Sequence, residues 1–163
     1  VMNDLAEVLR TQKKLDEAAA LYHESLALYR ELHFDVGEAV ILHNLGQVAR
    51  QLTRYPEALG YFREALGFLT GMEEPQIIVE CLVGMAGVLV DMGDIERAVR
   101  YLAAAKALMN IVGIRLDVAD QAGYDNTLTM THGKLAEAAW ATIWDAGQST
   151  PLKQILAEAL QKT

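Results

Sequence analysis

Three alanines in this chain stand at equal intervals: Ala18, Ala58 and Ala98, with 58 − 18 = 40 and 98 − 58 = 40. Each opens a small, large, small series at offsets 0, 4 and 7. The series are Ala18, Tyr22 and Ser25; Ala58, Phe62 and Ala65; and Ala98, Leu102 and Ala105. Upstream of each lies an apolar residue followed by a small one: Leu5-Ala6, Leu45-Gly46 and Met85-Ala86. A fixed period of this size constrains the fold more than any composition does. One unit cannot bury its apolar face alone, so successive units stack and share a core.

The offsets 0, 4 and 7 fall on one side of a helix, as do Leu42, Leu45 and Ala49 in the preceding segment. Each unit therefore reads as two amphipathic helices joined by a short turn. Gly93 follows a helix end and Asp94 is placed to cap the next helix. Pro56 belongs in a first turn, where its missing N–H costs nothing. Gly46, inside a helix, loses about 1 kcal/mol relative to alanine. A close helix crossing offsets that loss, and the reading places Gly46 opposite Ala58 and its neighbours. Composition agrees. The 163 residues are 52% hydrophobic but only 7% aromatic, and strands favour β-branched and aromatic residues.

These residues resemble the tetratricopeptide repeat: the large-small pair Leu45-Gly46, the turn aromatic Tyr55, and the series Ala58, Phe62 and Ala65. The family unit is usually 34 residues, so a 40-residue step implies longer helices. The resemblance implies an all-α fold, a right-handed superhelical array of helical hairpins (an α-α solenoid) with capping helices at its C-terminal end. Three units are expected at 1–38, 39–78 and 79–112, and a cap of the same domain at 113–163. In the cap, helices are expected from about Val118 to Thr131, from about Lys134 to Ala146 and on to Leu160. Gly133 and Gly147 act as stops, Ser149 or Thr150 caps the last helix, and Pro151 sits in its first turn.

The tail, with Tyr124, Trp140, Trp144, Gly147, Ser149 to Pro151 and Ala159-Leu160, is similar to the end of large LuxR-type, MalT-like bacterial signal-transduction ATPases. Gln148 stands where those regulators usually carry arginine. This resemblance implies a cytoplasmic sensor segment of a bacterial transcriptional regulator. The missing initiator methionine suggests a fragment of something longer. Trp140 and Trp144, at i and i+4, are read as core of the cap, with an aromatic ligand platform as the alternative.

A net charge of −8 without a basic block makes nucleic acid or an anionic membrane a poor partner for this chain. The single cysteine, Cys81, leaves no intrachain disulfide and points to a reducing compartment. No signal peptide and no apolar run of the roughly 18 residues of a membrane span is visible. His23, His33, His43, His132 and Cys81 are not at metal-ligand spacing, and neither a phosphate loop nor a nucleophile elbow is present. The chain is therefore expected to be no enzyme and to need no cofactor or metal.

The inner helix of each pair carries the candidate binding residues on its rotated face. These are Asn3, Glu7 and Arg10 in the first unit, and His43, Asn44, Gln47, Arg50 and Gln51 in the second. In the third they are Glu80, Val83, Gly87 and Asp91, with Gly84 and Gly87 leaving room for a bulky apolar group. Amide donors and a cation suit a peptide backbone or carboxylate. A solvated helix face is the plain alternative. The expected function is non-catalytic binding of a protein, a peptide or a small effector in a concave groove. The alternative is a self-association module, a homodimer through the N-terminal helices, because exposed apolar surface there favours association.

Overall fold

The computed structural model describes residues 2–161, apart from the side chain of residue 119. The outermost residues of the expected repeat span and cap, 1 and 162–163, lie outside it. Among the described residues the chain is all helix, and it forms two compact units, Val1–Glu74 and Pro75–Thr163.

The N-terminal unit holds two helical hairpins: α1 (Met2–Thr11) with α2 (Leu15–Glu31), and α3 (Asp35–Gln51) with α4 (Tyr55–Leu69). Its core is built from the repeat positions. Ala18, Tyr22, Ala58, Phe62 and Ala65 are all fully buried. Pro56 lies in the first turn of α4. Gly46 is at a close crossing, but the partner is Phe62 rather than Ala58. A Cβ built on Gly46 would stand 2.7 Å from the ring Cε1 of Phe62. In this series the large residue, and not the first alanine, fills the space that Gly46 leaves. The second hairpin packs on the first through α2 and α3, with Arg30 of α2 ion-paired to Glu38 of α3 at 3.5 Å and Glu64 of α4 at 2.6 Å.

The C-terminal unit begins with a third hairpin, α5 (Pro75–Met92) and α6 (Ile95–Val112). The 40-residue step recurs at the turns. Lys13, Thr53 and Gly93 all take positive φ, at 64°, 59° and 85°. After each, the next N–H bonds back to a carbonyl five residues earlier: Lys14 to Leu9, Arg54 to Ala49 and Asp94 to Leu89. This is a Schellman closure, which favours glycine at the left-handed residue. Only the third turn has one. We therefore expect Thr53→Gly to raise stability by about 1 kcal/mol, the scale of the left-handed penalty for a residue with a Cβ, as read by urea denaturation. Asp94 caps α6, as its sequence context suggests, by accepting from the Arg97 N–H at 3.3 Å.

Three further helices complete this unit: α7 (Val118–Thr131), α8 (Glu137–Ser149) and α9 (Leu152–Leu160). They do not form another hairpin of the same kind. α7 packs on α5 and α6, whereas α8 and α9 pack on α6. Gly147 does not end a helix. It lies inside α8, where a Cβ would stand 2.7 Å from both the Arg100 carbonyl oxygen and the Ala103 Cβ of α6. Freed from a stop there, α8 runs on to Ser149. Ser149 and Thr150 do not cap α9 either: their hydroxyls donate back to the carbonyls of Asp145 and Ala146 at 2.7 and 2.6 Å. Pro151 precedes α9 as its N-cap residue. Glu158 of α9 holds Arg100 of α6 through two hydrogen bonds of 2.8 and 2.9 Å.

α5 has no uninterrupted apolar run of span length, yet it is apolar on average. By length and composition it is apolar enough to cross a membrane, with mean hydropathy 1.6 over 18 residues. Its isolated acids, Glu80 and Asp91, break the apolar run without lowering the average far. In the structure 67% of that stretch is buried, and it carries α6 and α7 against it.

Candidate functional site

The N-terminal unit brings eight of the candidate residues onto two neighbouring helices. Asn3, Glu7 and Arg10 lie on α1, and His43, Asn44, Gln47, Arg50 and Gln51 lie on α3. All eight are half-buried. Four of them, Asn3, His43, Asn44 and Gln47, are joined in a ladder of side-chain hydrogen bonds. The Asn44 side-chain amide donates to Asn3 Oδ1 at 3.0 Å, linking α3 to α1. Asn44 Oδ1 meets His43 Nδ1 at 3.2 Å, and Gln47 Nε2 meets His43 Nε2 at 3.3 Å. The His43 ring tilts over Phe62 with centroids 5.7 Å apart. At the far end Lys13 Nζ donates to Gln51 Oε1 at 3.3 Å.

A second cluster adjoins this ladder. Arg10 Nε donates to Glu7 Oε2 at 2.9 Å and its Nη2 pairs with Glu7 Oε1. The buried Tyr22 of α2 donates its hydroxyl to the same Glu7 Oε2 at 3.0 Å. The Arg10 hydrogen bond holds the Glu7 carboxyl below its ordinary value of 4.5, against the opposing effect of burial. Burial pushes the Tyr22 hydroxyl up, with the Glu7 charge adding to it. A carboxyl depressed in the folded state contributes stability that is complete above its ordinary range and is lost as pH falls through its folded value. Glu7→Gln should therefore flatten the acid limb of a stability–pH curve below about 4.5, by at most about 1 kcal/mol for a half-exposed pair. Thermal melts at stepped pH will measure it. Tyr22 entered the sequence reading only as a large core residue. Nothing in the spacing shows that its hydroxyl reaches this face.

The remaining candidates lie on α5, in the C-terminal unit. Glu80 is half-buried and accepts from Gln76 Nε2 at 2.8 Å. Burial, joined by the charge of Asp117, pushes its carboxyl up. Val83 is half-buried and Asp91 is exposed. Gly84 and Gly87 are both buried.

The tail tryptophans form a stack. Trp140 and Trp144 lie with ring centroids 5.0 Å apart and planes at 11°, and the exposed His132 stacks on Trp140 at 4.4 Å. Trp140 Nε1 donates to Thr131 Oγ1 at 2.9 Å. Both indoles are half-buried. They lie on the flank of the cap and not in its core. An open hollow of about 510 Å³ lies at the α5–α6 turn, between Met92–Glu96 and Lys134-Leu135. Its Asp94 is committed to capping α6 and to the Arg97 guanidinium at 2.6 Å. Among the described residues, no group of three or more His, Cys, Asp and Glu side chains is placed to hold a metal ion. Cys81 is buried, and burial pushes its thiol well above the usual range.

The family model for the tetratricopeptide repeat matches residues 1–70, a span that covers both hairpins of the N-terminal unit. Residues 1–70 are therefore similar to tetratricopeptide repeats. Among curated proteins none matches the chain. Tetratricopeptide repeats generally mediate protein–protein interaction, and theirs is a non-enzymatic family. The same 40-residue step continues into α5 and α6, where Met85, Ala86, Ala98, Leu102 and Ala105 stand at the equivalent positions and are all buried.

Proposed function

We propose that the tetratricopeptide unit binds a protein or peptide segment on the face shared by α1 and α3, without catalysis. The observation that carries this reading is the ladder of Asn3, Asn44, His43 and Gln47. It links two neighbouring helices by side-chain amides and imidazole and stays half-exposed. Amide groups of this kind pair with peptide N–H and C=O groups, and Arg50 adds a cation for a carboxylate. A sensor segment of a larger cytoplasmic bacterial transcriptional regulator is the setting we favour. The tail residues Trp140, Trp144, Gly147 and Ala159-Leu160 support it, and α8 and α9 cover α6 as an end cap does.

The binding test starts from peptides selected from a random displayed library against this chain. Their affinity should fall at least about tenfold, or about 1.4 kcal/mol, in the Asn44→Ala/Arg50→Ala variant. The melting temperature should move only a few degrees. Unchanged affinity would place binding on another surface. For the regulator setting, the sequence of the surrounding gene decides: an ATPase module upstream supports it, and a gene limited to these residues removes it.

A further inference from the structure

α7 meets the rest of its unit through a thin and polar face. α5 buries twelve of its 18 residues and α6 nine of 18. Among its described residues α7 buries three: Tyr124, Thr127 and Thr131. Both threonine hydroxyls donate within α7 itself, Thr127 Oγ1 to the Gly123 carbonyl at 2.9 Å and Thr131 Oγ1 to the Leu128 carbonyl at 2.6 Å. The Tyr124 hydroxyl is shut off from solvent and has no hydrogen-bond partner. That unmade bond opposes docking, because lifting the helix would hydrate the hydroxyl. Asp117, the N-cap of α7, opposes docking too. Its charge acts on the half-buried Glu80 of α5, and like charges brought together disfavour each other's ionised form. At the other end α7 is tied: Thr131 Oγ1 accepts from Trp140 Nε1 of α8 at 2.9 Å, and His132 stacks on the same indole.

We propose that α7 is a reversible lid on α5 and α6, which lifts while those two helices stay folded. Lifting uncovers the side of α5 that carries Glu80, so the lid sets what this part of the unit presents to a partner. The segment lies between Gly113 and Gly133, both at positive φ, 78° and 76°. Short connections of this kind absorb the backbone change of a moving element. α7 has 14 residues, and isolated helices shorter than about 12–15 residues are marginal in water. A lifted α7 therefore loses its helix, and its amides become free to exchange. The tie to Trp140 keeps the segment beside its seat and favours its return.

Native-state hydrogen exchange on the whole chain tests this, with rates read as protection relative to the unstructured peptide. The slowest amides of α7 should exchange at least about tenfold faster than the slowest of α5 and α6. Tyr124→Phe keeps the ring and removes the unpartnered hydroxyl. It should slow exchange in α7 by about tenfold and leave the slowest amides of α5 and α6 as they were. Equal protection of the three helices in the natural chain would overturn the proposal, because all would then open together. That result needs no variant to fold. A Tyr124→Phe chain in which α7 exchanges as before would overturn it as well. So would one in which α5, α6 and α7 all slow alike, since the hydroxyl would then weigh on the unit and not on the lid.

Discussion

Replacing Phe62 by alanine should lower the stability of the N-terminal unit by about 3–5 kcal/mol, the usual cost of emptying a fully buried aromatic site. For a chain of this size that is a fall of about 10 °C in melting temperature. The substitution should also reverse the sign of a second one. In the natural chain, Gly46→Ala gains about 1 kcal/mol of helix propensity. It also drives a methyl group to 2.7 Å from the Phe62 ring, and overpacking of that kind costs about 1–3 kcal/mol. Gly46→Ala should therefore be neutral or destabilising on its own. With Phe62 removed the obstruction is gone and the same change should stabilise. Chemical denaturation of the four proteins of this cycle reads the coupling directly. Additive single effects would mean that the crossing of α3 and α4 does not depend on this pair.

The second large effect is expected at Gly147. A Cβ there meets the Arg100 carbonyl oxygen and the Ala103 Cβ, each at 2.7 Å, and a backbone carbonyl inside α6 cannot yield as a flexible side chain does. Gly147→Leu should cost about 3 kcal/mol, the upper end of overpacking, and lift α8 from α6. Trp140 and Trp144 make the event visible, since both lie on α8. Their fluorescence should change before the helical signal of the hairpins is lost. Gly123, in α7 with nothing near a Cβ, is the control: Gly123→Ala should gain up to about 1 kcal/mol from helix propensity. Destabilisation of the same size at both positions would show that α8 is not held by a close approach at Gly147.

These two glycines also show what the sequence conveys and what it withholds. Gly46 could be read because Ala6 and Ala86 stand at its equivalent positions, so a repeat supplied the comparison. Gly147 has no such equivalent. A glycine two residues before Ser-Thr-Pro carries the local signs of a helix end, and only the packing of α8 on α6 shows otherwise. The same limit applied to α5. Its apolar run is interrupted, so counting uninterrupted residues did not show how apolar the helix is on average. The turns were legible where Gly93 marks one, and less so at Lys13 and Thr53, where the backbone takes the same left-handed form with side chains that disfavour it. On the candidate face, the helical period put Asn3, His43, Asn44 and Gln47 on inner helices. It could not show that they bond across α1 and α3, nor that Tyr22 reaches Glu7 from α2, because both depend on how close the helices lie. For the tryptophans, spacing gave the i, i+4 pairing, and only the structure gives the stack with His132.

The most direct test of the binding reading is a map of amide chemical-shift changes as a library-selected peptide is titrated into the isotopically labelled chain. The account predicts that the largest changes fall on α1 and α3, at Asn3, Glu7, His43, Asn44 and Gln47. Changes confined to α8 and α9, or to the outer surfaces of α2 and α4, would contradict it.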